Sequence, residues 1–295
     1  MVSALMSTGN ADIFAERTFS NVHVVERIPW PKHGYTASTW DAALNAALSQ
    51  QYDIALIASE EPQAYTFARA AKIPTRIGFY NGRQKPFKSL WCKAQLTRAI
   101  YRSAILEAQP RHECAALFEL GQSLQNEPEP TAELARLRPL LLDQPIERSQ
   151  NRVLQLTSKW LANNRSGDVV ASWLAPIVQN ESWEATAMLS ERSVLAPLID
   201  RLGVPVRLFE RAAEWKAAIA GARVLLTPDT GAAHVAGMLG TPVVDIFESA
   251  DFERNAMRWR PWAAQSRLLA FSQANDGAFG ERVKVAVDDV IASTA

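Results

Sequence analysis

Short apolar runs rich in valine, isoleucine and leucine alternate along the chain with longer segments of helical periodicity. This alternation is typical of parallel sheets covered by helices, so it predicts an α/β protein with helices in most of the intervals. The predicted strands are Val22–Ile28, Asp53–Ala58, Arg76–Phe79, Arg152–Leu156, Glu184–Leu189, Val206–Phe209, Arg223–Leu226 and Val243–Phe247.

The composition changes between Gly121 and Asn151, where prolines and charged residues disfavour regular structure. A chain of 295 residues is also long enough for two domains with separate hydrophobic cores. We therefore predict two α/β domains, residues 1–148 and residues 149–295.

The charge balance excludes a strong overall field, because 31 lysines and arginines meet 31 acidic residues. Attraction to nucleic acid or to an anionic membrane must then come from a local patch. Cys92 and Cys114 are too few for a disulfide framework and lack metal-ligand spacing, which favours a reducing compartment. The amino terminus does not resemble a signal peptide, and no apolar run reaches the roughly 18 residues that span a bilayer. The expected location is cytoplasmic, with at most peripheral contact with the inner membrane.

The segment 212–234 carries the most chemical information. Its pattern predicts a helix that ends at Gly221 with a left-handed cap, a buried strand to Leu226, a tight turn and a second helix. Asp229 and Thr230 suit the amino-terminal cap of that second helix.

Gly231 lets the backbone of this turn approach a bound group without an intervening side chain. Free amides and the positive end of the helix dipole at such a position attract phosphate. His234 is three residues further on, within reach of a phosphate oxygen from the first helical turn. The alternative is purely structural: Asp229 caps the helix, Gly231 forms the turn and His234 is a partly buried side chain.

The residues from Asp229 to Pro242, DTGAAHVAGMLGTP, resemble the signature of glycosyltransferase family 9, the bacterial heptosyltransferases and their relatives that build the lipopolysaccharide core. Tyr52–Ile57, Ile73–Phe79 and His112-Glu113 are similar to the family's amino-terminal domain. The resemblance implies a GT-B architecture, in which two Rossmann-like domains have parallel sheets that face each other across a cleft. It also implies that the second domain holds most of the nucleotide.

The resemblance extends the donor site to three further places. Thr157, Ser158 and Lys159 follow the first strand of the second domain, where the family contacts the diphosphate, and Glu191 stands where relatives carry an acid for the ribose. Lys159 as a solvated lysine and Glu191 as an ordinary helix glutamate stay open as alternatives. The sequence contains no Asp-x-Asp metal motif, so the expected mechanism needs no metal or other cofactor. The complete predicted donor site is Thr157, Ser158, Lys159, Glu191, Asp229, Thr230, Gly231, Ala232 and His234.

A basic stretch without acids runs from Asn81 to Leu106. Apolar residues, among them Phe87, Leu90 and Trp91, lie between its cations, so it predicts a surface for an anionic lipid-linked saccharide acceptor at a membrane. A solvated basic helix is the alternative, and nucleic acid is disfavoured because no binding motif is present. The predicted acceptor-side basic patch is Arg83, Lys85, Lys88, Lys93 and Arg98.

The expected function is transfer of a heptose-like sugar from an ADP-sugar or another nucleotide sugar to a lipopolysaccharide-type acceptor. A catalytically inactive sugar-nucleotide-binding protein or scaffold with the same fold is the main rival. An epimerase of the same two-domain form is a third reading.

The amino terminus departs from the family pattern. Val2–Met6, Asn10–Phe19 and Val22–Ile28 resemble the family's second strand, helix and third strand, whereas the first strand and the acidic turn that supplies the catalytic base have no counterpart. We expect either a start roughly 30–40 residues upstream, the length of a strand–helix unit, or an inactive remnant with a rearranged first sheet. The catalytic base is therefore unknown, and Glu60 and Glu61 are the first replacements to consider.

Overall fold

The structure is a computed structural model that describes residues 1–26, 38–105, 107–179, 182–271 and 276–294. The last two residues of the predicted strand Val22–Ile28, and Leu106 at the end of the basic stretch, lie outside the described residues. The chain forms two compact units. The amino-terminal unit comprises Met1–Ala11 and Phe19–Pro130, and the carboxy-terminal unit comprises Asp12–Thr18 and Thr131–Ala295.

The division at Pro130 precedes the boundary near residue 148 that composition suggested. The helix Leu134–Leu141 lies between these two positions and packs against the helix Gly231–Leu239 of the carboxy-terminal unit. Because this packing is a tertiary contact, composition alone did not indicate it.

The amino-terminal unit alternates short parallel strands with helices. Two strands, β1 and β2, form one sheet, and β3, β4 and β5 form another in that order. The elements are β1 Ser3–Ser7, β2 Asn21–Val25, α1 Ser38–Gln50, β3 Ile54–Ile57, α2 Pro62–Ala70, β4 Thr75–Tyr80, α3 Pro86–Gln95, β5 Arg98–Tyr101 and α4 Glu113–Phe118.

The strands of this unit form two separate sheets, since no strand among the described residues pairs β1 or β2 with β3, β4 or β5. One face of β3 is covered, where Ile57 packs with Tyr65 of α2 and Cys92 of α3. On the other face Leu56 is 46% exposed and Ile54 is also exposed. An apolar strand residue left in water forgoes its burial free energy, so these two positions contribute little to the stability of the unit.

The carboxy-terminal unit has a six-stranded, fully parallel sheet in the order β11-β10-β9-β6-β7-β8. Its elements are α5 Leu134–Leu141, β6 Arg152–Gln155, α6 Gly167–Val178, β7 Trp183–Met188, α7 Arg192–Leu202, β8 Val206–Phe209, α8 Ala212–Gly221, β9 Val224–Pro228, α9 Gly231–Leu239, β10 Val243–Phe247, α10 Phe252–Trp259, β11 Ser266–Ala270 and α11 Phe279–Ala292.

Helices cover both faces of this sheet, which explains why its central strands are apolar throughout. On one face Leu154 and Leu226 pack with residues of α6, α7 and α11. On the other face Val153 and Leu225 pack with residues of α8 and α9. The chain passes from β6 outward to β8 and then crosses back to β9, so the strand order reverses between β6 and β9.

Two glycines near the ends of α8 and α9 behave differently. α8 ends at Gly221 as predicted, but Gly221 is not left-handed, and the cap residue Ala222 has φ −74° and ψ 143° because the chain leads directly into extended β9. The prediction of a left-handed cap at Gly221 is therefore wrong. Gly240 ends α9 with φ 71°. This left-handed backbone favours glycine, and a Cβ atom there would also crowd the Leu134 side chain.

Candidate nucleotide-sugar site

Three loops that carry predicted donor residues follow the carboxyl ends of β6, β7 and β9. Strand order reverses between β6 and β9, and ligands of open parallel sheets bind in the crevice outside the strand ends at such a reversal. Polar residues of the types that bind phosphate therefore lie where this topology forms a binding crevice.

The loop after β6 is held by a buried tryptophan. Thr157 caps the short 3-10 helix Ser158–Leu161, with its Oγ1 accepting a hydrogen bond from the Lys159 amide at 3.2 Å. Trp160 is fully buried and donates from its indole nitrogen to the Gln155 carbonyl at 2.8 Å. This anchoring leaves the neighbouring Lys159 side chain 53% exposed, so its ammonium is accessible to a ligand.

The loops after β6 and β7 meet through Ser158 and Glu191. Glu191 Oε1 accepts hydrogen bonds from the Ser158 hydroxyl at 2.7 Å and from the Ser158 amide at 3.1 Å. The structure therefore brings these two predicted residues together. The Oε1 atom of Glu191 fixes the loop, and the other carboxylate oxygen forms no hydrogen bond with a described residue.

The loops after β6 and β9 meet through Lys159 and Asp229. The Lys159 ammonium donates to the Asp229 carbonyl and lies 3.4 Å from its carboxylate Oδ2. An exposed pair of this kind contributes only about 0–1 kcal/mol. Exchange of Asp229 for a phosphate oxygen at this ammonium would therefore cost little.

The amino terminus of α9 lacks the side-chain cap that the sequence predicted. Thr230 occupies the cap position without capping the helix, and its Oγ1 instead lies 3.2 Å from Thr227 Oγ1. Asp229 turns toward Lys159, so the capping prediction is wrong for both residues. The first amides of a helix have no intrahelical acceptor, and here they remain available for an external one.

Space beside these amides is open at Gly231 and closed at Ala232. A Cβ atom on Gly231 would meet no atom within 4 Å, whereas Ala232 is buried against the sheet. His234 is half-buried one turn into α9, and its ring centroid lies 5.9 Å from that of Trp259 in α10. The helix thus presents backbone toward the opening and holds its imidazole beside an aromatic ring.

Arg165 is a structural residue of the site that the sequence did not reveal. Its guanidinium binds both carboxylate oxygens of Glu248, at 2.6 and 3.0 Å, and lies 3.8 Å from the ring centroid of Phe271. It also donates to the Lys159 carbonyl at 2.8 Å, so it braces the loop after β6 against the loop after β10. The hydrogen bond and charge of Arg165 lower the pKa of Glu248. No local pattern signals this pair, because 83 residues separate its members.

Asp245 was also missed, although it stands alone as an acid in the apolar run of β10. It is fully buried opposite Thr227, and neither carboxylate oxygen has a hydrogen-bond partner among the described residues. Burial and then the charge of Asp229 raise its pKa, while Lys159 opposes this shift. Burial therefore favours the protonated form of the Asp245 carboxyl.

Glu60 in the amino-terminal unit is engaged by cations. Its carboxylate lies 2.9 Å from the Lys88 ammonium and 3.7 Å from Arg102 Nε. Burial acts to raise the pKa of Glu60, but the hydrogen bond and charge of Lys88, with the charge of Arg102, lower it overall. A carboxylate with a lowered pKa is a weaker proton acceptor, so this arrangement does not favour Glu60 as a catalytic base.

The basic stretch is less uniformly positive than the sequence suggested, because folding brings acids to it. Lys88 pairs with Glu60, and Arg102 pairs with Glu113. Lys93 lies 4.2 Å above the ring of Tyr80. Lys88 and Arg102 therefore contact acids that lie outside the stretch in the sequence.

The exposed part of the stretch combines charge with apolar side chains. Arg83, Lys85 and Arg98 are exposed and form no ion pair with a described carboxylate. Phe87 is 88% exposed and Leu90 is 73% exposed on α3. Exposed apolar side chains and exposed cations therefore occur together in this stretch.

The described residues contain no helix with the length and apolar character required to cross a bilayer. They also contain no group of three histidine, cysteine or acidic side chains arranged to bind a metal ion.

Solved structures define the class of fold. A glycosyltransferase family 9 protein from Veillonella parvula matches with a TM-score of 0.67 at 13% identity, covering 99% of this chain and 88% of that chain. Heptosyltransferase WaaC of E. coli with ADP-2-deoxy-2-fluoro heptose matches with a TM-score of 0.65 at 15% identity, covering all of both chains. E. coli ADP-heptose lipopolysaccharide heptosyltransferase II matches with a TM-score of 0.60 at 14% identity, covering 100% of this chain and 99% of that one. The chain has the GT-B fold of these proteins.

The family resemblance is also confirmed at the level of sequence. Residues 211–282 match the model of glycosyltransferase family 9 (heptosyltransferase). This segment contains the loop after β9, all of α9 and the strands β10 and β11. No curated protein matches the chain.

Proposed function

We propose that the chain binds the diphosphate of a nucleotide sugar at the loops after β6 and β9 and transfers a heptose-like sugar from it. The observation that carries this proposal is the convergence of Ser158, Lys159, Glu191 and Asp229 beside the uncapped start of α9. The heptosyltransferases of the same fold support the donor, since one of them is described with ADP and with an ADP-heptose analogue.

Each predicted donor residue has a role in this proposal. Lys159 exchanges Asp229 for a phosphate oxygen, and the amides of Gly231 and Ala232 donate to the diphosphate at the positive end of α9. His234 donates a further hydrogen bond, and Glu191 accepts from the ribose. Thr157 and Ser158 fix the loop after β6, and Thr230 is the residue at the cap position of α9.

The protein contributes to catalysis by stabilising the leaving diphosphate. Negative charge grows on that group as the glycosidic bond breaks, and donors already oriented toward it stabilise the transition state. The proposed reaction uses no metal or other cofactor.

The proposed acceptor is an anionic lipid-linked saccharide that approaches the amino-terminal unit. Arg83, Lys85 and Arg98 supply positive charge, with Lys93 and Lys88 as partly engaged members of the patch. Phe87 and Leu90 supply apolar contact with a membrane surface. In this proposal the protein works at the inner membrane as a peripheral protein.

A second function has its own support. Glu60 is held by Lys88 and Arg102, and the strands of the amino-terminal unit are divided between two separate sheets. Both observations favour a protein that binds a nucleotide sugar without transferring its sugar. An inactive remnant or scaffold of the same fold is therefore the alternative.

Calorimetric titration with ADP and ADP-heptose, followed by an assay of ADP release with a lipid-linked saccharide acceptor, distinguishes these functions. Binding with acceptor-dependent ADP release supports the transferase. Binding without ADP release supports the remnant. Absence of binding to the intact, folded chain contradicts both.

A further inference from the structure

A second pocket lies in the carboxy-terminal unit, at the opposite end of α9 from the donor loops. It is an open cavity of about 520 Å³. Leu134 and Leu142 line one part of it, and Leu239, the last residue of α9, lines another. At 1.5 Å per residue, the nine residues of α9 separate this cavity from the donor loops by roughly 13 Å.

Three arginines converge on this cavity: Arg17, Arg138 and Arg148. Arg138 donates from Nε to the Leu239 carbonyl at 2.8 Å, and Arg148 donates to the Gly240 carbonyl. These contacts complement the negative end of the α9 dipole, but they use only a few of the guanidinium donors. Arg17 makes no hydrogen bond to a described residue.

The three positive charges have no anionic side chain as a partner among the described residues. No acidic side chain lines the cavity, and no described carboxylate forms an ion pair with any of the three arginines. Burial and then the charge of Arg138 lower the pKa of Arg148, which reports mutual repulsion between the two cations. A guanidinium remains charged in proteins, so this repulsion is relieved by a bound anion.

We propose that this cavity binds an organic phosphate monoester that carries an apolar group. Guanidinium forks match phosphate oxygens two at a time, and a dianionic phosphate suits three cations better than a carboxylate does. The leucine side chains and Ile146 then cover the apolar group. The volume is within the range of small-molecule sites. This inference does not depend on the proposed transferase function.

Binding of hexyl phosphate, measured by calorimetry, tests the proposal. Inorganic phosphate and hexanol present the head and the apolar group separately, and each should bind at least about tenfold more weakly than hexyl phosphate. Flotation with phosphatidic acid vesicles distinguishes the source of the ligand. Flotation that weakens when arginines of the cavity are replaced by glutamine indicates a lipid headgroup. Binding of hexyl phosphate without flotation indicates a soluble ester.

Arg17→Gln is the cleanest variant, because it removes a charge without removing a hydrogen bond from the end of α9. It should weaken hexyl phosphate binding by about tenfold, and Arg17→Gln combined with Arg138→Gln should weaken it further. The control Arg192→Gln removes an exposed arginine of α7 and should leave binding unchanged.

Lys159→Met separates this cavity from the donor loops. Undiminished binding of hexyl phosphate to Lys159→Met, together with loss in Arg17→Gln, supports the proposal. Loss of binding in Lys159→Met with retention in Arg17→Gln overturns it, because the phosphate then occupies the donor loops. Equal binding of hexanol and hexyl phosphate also overturns it, since the arginines would then contribute nothing.

Discussion

The ammonium of Lys159 lies 3.4 Å from the carboxylate of Asp229, across the reversal in strand order between β6 and β9. These residues are 70 positions apart in the chain, and only the parallel sheet brings their loops together. The pair leaves a cation at the opening of the crevice beside the first amides of α9. Its anionic partner is a side chain that a phosphate can replace.

Replacement of Lys159 by methionine should weaken ADP binding by about tenfold or more, because a charge-assisted hydrogen bond of roughly 1.5–3 kcal/mol is lost. Asp229 would also be left without its cation. Calorimetric titration measures the change. Lys284→Met, which removes an exposed lysine of α11, is the matched control and should bind ADP as the wild type does. Equal affinities in all three proteins would show that Lys159 is a surface lysine.

Replacement of His234 by phenylalanine should weaken donor binding by about 1–3 kcal/mol and leave thermal stability nearly unchanged. Phenylalanine keeps a ring beside Trp259, whose centroid is 5.9 Å from that of His234, but it cannot donate to phosphate. His234→Ala loses both features and should bind as weakly while melting at a lower temperature. Wild-type affinity in His234→Phe would contradict the assignment.

Replacement of Phe87 and Leu90 by serine should reduce binding to vesicles rich in anionic lipid by at least about tenfold. A fully buried side chain of this size contributes roughly 1.5–3 kcal/mol, and insertion of both side chains supplies that burial. Donor affinity should not change. Val285→Ser, an exposed apolar residue of α11, is the control. Vesicle binding that survives the double substitution would leave only the cations as the contact.

Reversal of Lys88, Lys93 and Arg98 to glutamate should impair use of an anionic lipid-linked acceptor and spare the binding of ADP. Lys88→Glu also places a second acid beside Glu60, so the melting temperature of each variant must be measured. Arg98→Glu alone avoids this complication and should reduce acceptor use by a smaller factor. Parallel loss of ADP binding would indicate misfolding.

The sequence predicted the carboxy-terminal unit well because its apolar strands and small-residue α9 have strong local patterns. Val206–Phe209 and Val243–Phe247 are strands at the predicted bounds. β5 and β11 were missed because each carries arginine at an edge of its sheet and is only half-buried, so neither forms a continuous apolar run. Edge strands are determined by pairing with a neighbour, which a local pattern does not encode.

Side-chain partners were less predictable than positions. Lys159 and Glu191 were selected from the family resemblance and Asp229 from the strand–turn–helix pattern. Neither source could show that Asp229 pairs with Lys159 instead of capping α9. Likewise, the basic stretch contains no acid of its own, and Glu60 reaches it only through the fold. Both outcomes depend on contacts between residues that are far apart in the sequence.

Asp245 should make the stability of the protein depend on pH. Its pKa in the folded state is raised above the value of about 3.9 for an unfolded chain. Below that value both states are protonated and Asp245 has no effect. As the pH rises toward the folded pKa, the unfolded state loses its proton first, so the free energy of unfolding falls.

Asp245→Asn keeps the size of the side chain and removes the titration. Its stability relative to wild type should therefore increase from acid to neutral pH, as measured by chemical denaturation across that range, whereas Asp200→Asn on the exposed face of α7 should show no such trend. Lys159→Met provides a second test, because Lys159 favours the ionised form of Asp245 while Asp229 opposes it. Loss of this cation should raise the folded pKa of Asp245 further, so the wild type should lose stability over a wider pH range while Asp245→Asn is less affected. A constant difference between wild type and Asp245→Asn at every pH would contradict a raised pKa for Asp245, because the carboxyl would then titrate alike in the folded and unfolded states.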